Sequence, residues 1–441
     1  MALEKKQFSS YFIEKTFPEK KFMYDLLIKN CTVNGAVSDI AVENGKIAAI
    51  GKITDPAAET FDASNLAALP PFYNTHTHAA MTLLRSYAED MELFDWLSNH
   101  IWPIEAKLTE EDIYIGTRMA TIEMIRSGTV YFNDSYWMPQ AALRAVRESG
   151  MRATLGLLYL CNPSGEVPET AKIANEALLA AHGESDTLIN IAHTPHAVYT
   201  VSENVLRDIA HQMENDGFKV HIHVSETARE VEDCRKAHDG LTPVEYLDNI
   251  GLINERAMLA HCVHLTDHDR EIIASRGAYI AHNPVSNLKL CSGVFDFERA
   301  RAAGCRVTLG TDGTSSNNSL SMIGEMKFAA LSAKLTAGSP KAGKVGDIFA
   351  MATAGGCNFA GVDGGSIAVG QAADIMFIDL KHPVLCGKYD LISDLVYAGE
   401  PGMVDTLICN GRFLMKNHVI PGEAEIVAAT AEVCDKLKKL R

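Results

Sequence analysis

The chain has 441 residues, 47% of them hydrophobic and 22% charged, and 56 acidic against 40 basic side chains give a formal net charge of −16. This is the composition of a globular protein long enough for one large domain and a smaller one, and its acidity argues against nucleic acid or an anionic membrane as partner. No apolar run is long enough to span a bilayer, and the N-terminus shows neither an apolar h-region nor a small-residue cleavage site, so a cytoplasmic location is expected. The ten cysteines form no CxxC pair and read as reduced residues of a cytoplasmic core.

In chain order, residues 1–21 are charged and lack periodicity, and read as an N-terminal arm. Short strands follow over 25–28, 39–42 and 46–50, the last two separated by Asn44-Gly45, a strong hairpin signal. An apolar run over 66–72 reads as one buried strand leading into Asn74-Thr75-His76-Thr77-His78. A helix is expected over 114–126, and further strands over 129–134, 153–158, 188–193, 219–223, 258–261, 279–282 and 307–310. Eight strands alternating with amphipathic helices predict an α/β fold with a (β/α)8 TIM-like barrel over 69–370, with function at the strands' C-terminal ends. Strand patterns return over 373–378 and 404–409, the latter before Asn410-Gly411, and a helix over 424–440 closes the chain. Residues 22–68 and 371–441 are therefore expected to form a small β-sandwich domain built from both chain ends, with the C-terminal helix included.

The polar residues collect where a barrel would use them. His76 and His78 stand two apart at a strand end and share a face, while His223, His261 and Asp312 end the fifth, sixth and eighth expected strands. Three imidazoles and one carboxylate suit one divalent metal ion, zinc before Fe2+ or Mn2+. Glu226, three residues after His223, stands where a carboxylate could move protons between metal-activated water and substrate, or simply open a helix. His261 reads as a ligand, as the orienter of the attacking water or as a core residue, and the second is preferred because four ligands are already supplied. The fourth strand, 188–193, carries no lysine to be carboxylated as a bridge between two metals, which points to a single ion.

The segments LFDWL (93–97), IWPIE (101–105), HCVHL (261–265), HNPVSNLKL (282–290) and GTDGTSSNN (310–318) together resemble the amidohydrolase superfamily. Within its single-metal deaminase branch they look like the methylthioadenosine/S-adenosylhomocysteine deaminase family, over about residues 25–420. The resemblance implies metal ligands His76, His78, His223 and Asp312, a proton shuttle at Glu226 and a polarising histidine at His261. It further implies that Trp96 packs on the nucleoside, that Glu105 binds ribose hydroxyls and that His196 lies near the sugar or base. Without it, Trp96 reads as core, Glu105 as a solvated helix residue, and Ser286 and Asn287 as a polar loop.

The implied activity is hydrolytic deamination of an adenosine-type nucleoside (methylthioadenosine, S-adenosylhomocysteine or adenosine), with hydroxide attacking the amino-bearing ring carbon and Asp312 and His261 holding the attacking oxygen. The alternative on the same scaffold is a deaminase of a free aminated heterocycle (guanine, a pterin, an oxidised purine) or a triazine chlorohydrolase. A barrel that only binds or assembles is a further alternative, but it would not be expected to keep the six metal and proton-transfer groups. Two features depart from the family. Leu69-Pro70-Pro71-Phe72-Tyr73 replaces the usual glycine before the HxH, so a local backbone change is expected. No arginine occurs between Arg152 and Arg207, and Lys172 is the only basic candidate there besides histidines, so a homocysteine carboxylate lacks an obvious anchor. A homo-oligomer is expected from the family, with a small molecule as partner.

Overall fold

The computed structural model of the protein describes residues 23–440, and the expected N-terminal arm lies outside them. The chain opens with β1 (Tyr24–Val33), β2 (Ala36–Glu43) and β3 (Lys46–Gly51), paired antiparallel in that order. Asn34-Gly35 and Asn44-Gly45 make the two turns, with φ of 50° and 82° in the first and 52° and 72° in the second. Positive φ at both central residues gives the turn whose twist matches the strands it joins. β4 (Ala57–Asp62) and β5 (Leu66–Leu69) run parallel to β1.

The apolar run over 66–72 is two strands rather than the one expected. Pro70 and Pro71 have no N–H to give a ladder, so β5 ends before them and the chain crosses to a second sheet as β6 (Phe72–Thr77). The departure seen in the sequence thus marks a change of sheet. The second sheet runs in chain order, every strand parallel: β6, β7 (Thr129–Asp134), β8 (Arg152–Tyr159), β9 (Ile189–Pro195), β10 (Lys219–Val224), β11 (Ala257–His261), β12 (Tyr279–His282) and β13 (Arg306–Leu309). Burial along β6 and β7 is continuous, as a parallel sheet covered on both faces requires. The barrel closes between β13 and β6 through side chains and one backbone bond, from the Asp312 N–H to the His76 carbonyl (2.9 Å). Asn74 Nδ2 donates to Thr311 Oγ1 (2.7 Å), the Thr311 N–H donates to Asn74 Oδ1 (3.0 Å), and Thr75 Oγ1 donates to the Leu309 carbonyl (2.8 Å).

After the barrel the chain returns to the first sheet as β14 (Ile375–Asp379), β15 (Val404–Cys409) and β16 (Arg412–Met415), with Asn410-Gly411 at φ 50° and 77° as the last turn. β14 pairs with β5, so both chain ends meet in one eight-stranded mixed sheet, over a core that includes Ile28, Ile40, Phe61, Ile375 and Phe377. The C-terminal helix, Glu423–Lys438, does not pack with this sheet as expected. It lies along the barrel helix Glu110–Arg126, held by Arg126–Glu423 and Lys436–Asp112 ion pairs, with Leu437 buried in the apolar cluster that also includes Ile113. All ten cysteines are free. Among the described residues no helix is long and apolar enough to cross a membrane.

Candidate active site

β6 delivers His76 at its end and His78 just past it, β10 delivers His223, and the turn after β13 delivers Asp312. His76 Nε2 and His78 Nε2 lie 3.3 and 3.2 Å from Asp312 Oδ1, and His223 Nε2 lies 3.3 Å from His78 Nε2. Each imidazole is turned inward by a partner behind it. His78 Nδ1 donates to the Ser135 carbonyl and His223 Nδ1 to the His196 carbonyl, both at 2.6 Å, and His76 Nδ1 meets His221 Nε2 at 2.6 Å. A proton fixed on Nδ1 leaves the Nε2 lone pair facing the centre.

These donors fit a divalent cation. Ligands around a tetrahedral zinc ion with bonds of ~2.0–2.1 Å stand about 3.3 Å from one another. His76 Nε2 is buried and has no hydrogen-bond partner, an arrangement that costs about 1–3 kcal/mol when nothing occupies the site. Burial opposes ionisation of Asp312, yet the His76 and His78 imidazoles hold its carboxyl well below the usual carboxylate range. Burial also depresses His76, to about 4, whereas at His78 the Asp312 carboxylate outweighs burial and holds the imidazole up at about 9. Asp312 Oδ2 accepts Ser286 Oγ (2.6 Å) and Ser316 Oγ (2.9 Å), and its Oδ1 accepts the Gly313 N–H (2.8 Å).

Glu226 follows β10 and is 5% exposed. Its Oε1 accepts Ser292 Oγ at 3.0 Å, and its Oε2 stands 3.8 Å from His261 Nε2. Burial raises its carboxyl above the ordinary value, with nearby His261 opposing and Asp312 assisting. His261 ends β11, and its Nδ1 donates to Asn287 Oδ1 at 2.8 Å.

A cavity opens at these groups, and His78, His223, Glu226, His261 and Asp312 are among its lining. Further lining comes from the segment after β6, where Leu93, Trp96, Leu97, Trp102 and Glu105 face inward. That segment includes a wide π-helical turn, Trp96–Ile101, a distortion found disproportionately at functional sites. Glu105 is buried; Tyr136 donates its hydroxyl to Oε1 (2.6 Å) and Trp137 its indole N–H to Oε2 (3.1 Å). Trp96 donates its indole N–H to the Ala88 carbonyl at 3.2 Å. His196, its Nδ1 2.9 Å from Thr200 Oγ1, lies against His223 and is depressed to about 3 by burial and the surrounding histidines. Leu158, Leu160 and Leu290 complete an apolar side, and the lining includes no lysine or arginine. β9 carries no lysine either.

The sequence-predicted residues therefore gather at one cavity, with His76 beneath it. Several lining or supporting residues escaped the sequence reading. Ser135, Tyr136 and Trp137 directly follow β7, and the polar residues ending that strand were the signal for them. His221, Ser292 and Ser316 offered no separate signal, because their use depends on which loop faces which.

Residues 67–414 match the amidohydrolase family. The chain is 41% identical over 429 residues to the 5-methylthioadenosine/S-adenosylhomocysteine deaminase 1 of Archaeoglobus fulgidus, covering 93% of this chain and 99% of that protein. It is 42% identical over 379 residues to the 5'-deoxyadenosine deaminase of Methanospirillum hungatei, covering 85% and 84%. The solved structure of an adenosine deaminase from Xanthomonas campestris with bound zinc has a TM-score of 0.89 at 31% identity, over 94% of this chain and 99% of that one. With a fold, a donor set and a sequence match that run together over most of its length, the chain belongs to the amidohydrolase family.

Proposed function

We propose that the protein is a hydrolytic deaminase of adenosine-type nucleosides, working with one zinc ion held by His76, His78, His223 and Asp312. The observation that carries this reading is Glu105. A buried carboxylate clamped by Tyr136 and Trp137 offers fixed acceptors in the same cavity as the proposed metal ligands. A ribose diol supplies a pair of hydroxyl donors for them, and a free base has no such diol. Relatives whose names are those of nucleoside deaminases support the same reading.

The ion, when bound, lowers the pKa of coordinated water to about 7 and supplies hydroxide at neutral pH. Glu226 accepts a proton from the water and passes it to the ring nitrogen beside the amino-bearing carbon. Ser292 anchors Oε1, so Oε2 is the oxygen that exchanges the proton. His261, its Nδ1–H committed to Asn287, turns Nε2 toward the attacking oxygen. One carbon–oxygen bond forms and the bond to the amino group breaks. Of the two water hydrogens, one ends on the ring nitrogen and one on ammonia. Trp96 and His196 flank the nucleoside. With no lysine or arginine in the lining, a neutral 5' substituent fits better than the charged homocysteine tail.

The test is ammonia release by zinc-loaded protein from methylthioadenosine, adenosine, S-adenosylhomocysteine, guanine and an aminotriazine. Turnover of the first two is expected, lowered about 10²- to 10⁴-fold to a residual, measurable rate in Glu226→Gln. Loss of hydrogen bonds to a charged acceptor in Glu105→Ala should reduce kcat/KM on ribosides by about 10- to 100-fold. Turnover of guanine or the triazine alone would overturn the nucleoside assignment.

A further inference from the structure

We propose that Glu230 and Ser292 are positioning residues that hold Glu226 from both ends, Glu230 through its backbone and Ser292 through its carboxylate. The inference rests on Glu226 being the proton carrier. Its starting point is a helix start that departs from others in the same chain. Helices beginning at Thr109, Thr242 and Thr266 carry a full capping box, in which the N-cap threonine accepts the N3 backbone N–H and the N3 carboxylate accepts the N-cap N–H. Thr227-Ala228-Arg229-Glu230 has the same signature, and Thr227 Oγ1 accepts the Glu230 N–H at 3.1 Å. Here the carboxylate does not return to the N-cap. Glu230 Oε1 accepts the Ser225 N–H and Oε2 accepts the Glu226 N–H, both at 2.8 Å.

The diversion is costly for a mere helix cap. Glu230 is 3% exposed, and burial pushes its carboxyl up to about 7 while the two N–H donors pull it down. The turn it holds is itself strained, since Ser225 has a φ of 51° without being glycine, a conformation that survives only where its surroundings over-determine it. That turn sets the direction in which Glu226 leaves the barrel strand. At the other end, Ser292 spends its hydroxyl on Glu226 Oε1 and leaves Oε2 toward His261. Together the two restrict the carboxylate to one place relative to the reacting atoms, and a displacement of about 1 Å there can cost on the order of 100-fold in rate.

The test uses the zinc-loaded full chain and a double-mutant cycle in single-turnover deamination of adenosine. Glu230→Gln keeps the shape but offers an amide N–H where an acceptor is needed. It should lower kcat by about 10- to 100-fold, with KM, zinc content and melting temperature close to the parent. Ser292→Ala should lower kcat in the same way. In a Glu226→Gln background neither substitution should slow the reaction further, because each acts through Glu226. Parental kcat in both single variants, or losses that multiply with that of Glu226→Gln, would overturn the inference while leaving the deaminase reading intact. If Glu230→Gln fails to fold, the Ser292→Ala cycle decides. Full activity in Glu226→Gln would instead remove the proton carrier, and the inference with it.

Discussion

Asp312 shows how firmly a proposed metal ligand is held by residues that would not themselves touch the metal. Ser286 and Ser316 both donate to its Oδ2 and the Gly313 N–H to its Oδ1, so the carboxylate cannot rotate away from the three imidazoles. Ser286 and Asn287 come from one short helix, Pro284–Lys289; the first orients Asp312 and the second orients His261. Outer partners of this kind typically change metal affinity 10- to 100-fold when removed. Ser286→Ala is therefore expected to weaken zinc binding by about that factor, read by competition with a chromogenic chelator. Unchanged affinity would show that Ser316 and the Gly313 N–H suffice.

At the scale of elements, the base of the barrel is joined to the mixed sheet by a buried charge. Asp374, next to β14, accepts Arg152 Nε (2.8 Å) from the start of β8, the Tyr73 hydroxyl (2.7 Å) from β6 and the Asn410 N–H (2.6 Å) from the last hairpin turn. Burial and the facing carboxylate keep the Tyr73 proton in place, well above the usual phenol range. Removing one partner of such a pair leaves the other charge buried and alone, at a cost of about 3–5 kcal/mol. Asp374→Ala should show a loss of that size in urea unfolding, whereas a much smaller loss would mean that water reaches Arg152 once the carboxylate is gone.

For the whole molecule, the proposed metal ligands come from the ends of the first and fifth barrel strands and from the turn after the eighth. The seam between β13 and β6 is closed largely by side chains, with a single backbone bond between His76 and Asp312, which sit on either side of it. An ion held by both residues would fasten the barrel at its seam. Zinc at a hundredfold excess over its dissociation constant should stabilise the fold by about 2.7 kcal/mol, seen as a rise in melting temperature that chelation reverses and Asp312→Ala removes. A melting temperature indifferent to zinc would contradict binding at this seam.

The proposed ligand set, the Glu226 position, the barrel and the two-ended β sheet were all legible in the sequence, because short apolar runs place strands and strand ends place the chemistry. The Asn-Gly turns were legible for the same local reason, since few other pairs accept two positive φ values in succession. What lay beyond the sequence depends on contacts distant along the chain. Pro70-Pro71 announced a break in the backbone, but only the two sheets show it to be a change of layer. The C-terminal helix showed its apolar spacing, but not that its partner would be the helix at Glu110–Arg126. The clamp on Glu105 and the grip on Glu226 join residues up to 66 positions apart. Local propensity decides which segments become strand, turn or helix; which loop faces which at the barrel mouth is decided by burial and hydrogen-bond satisfaction across the whole fold.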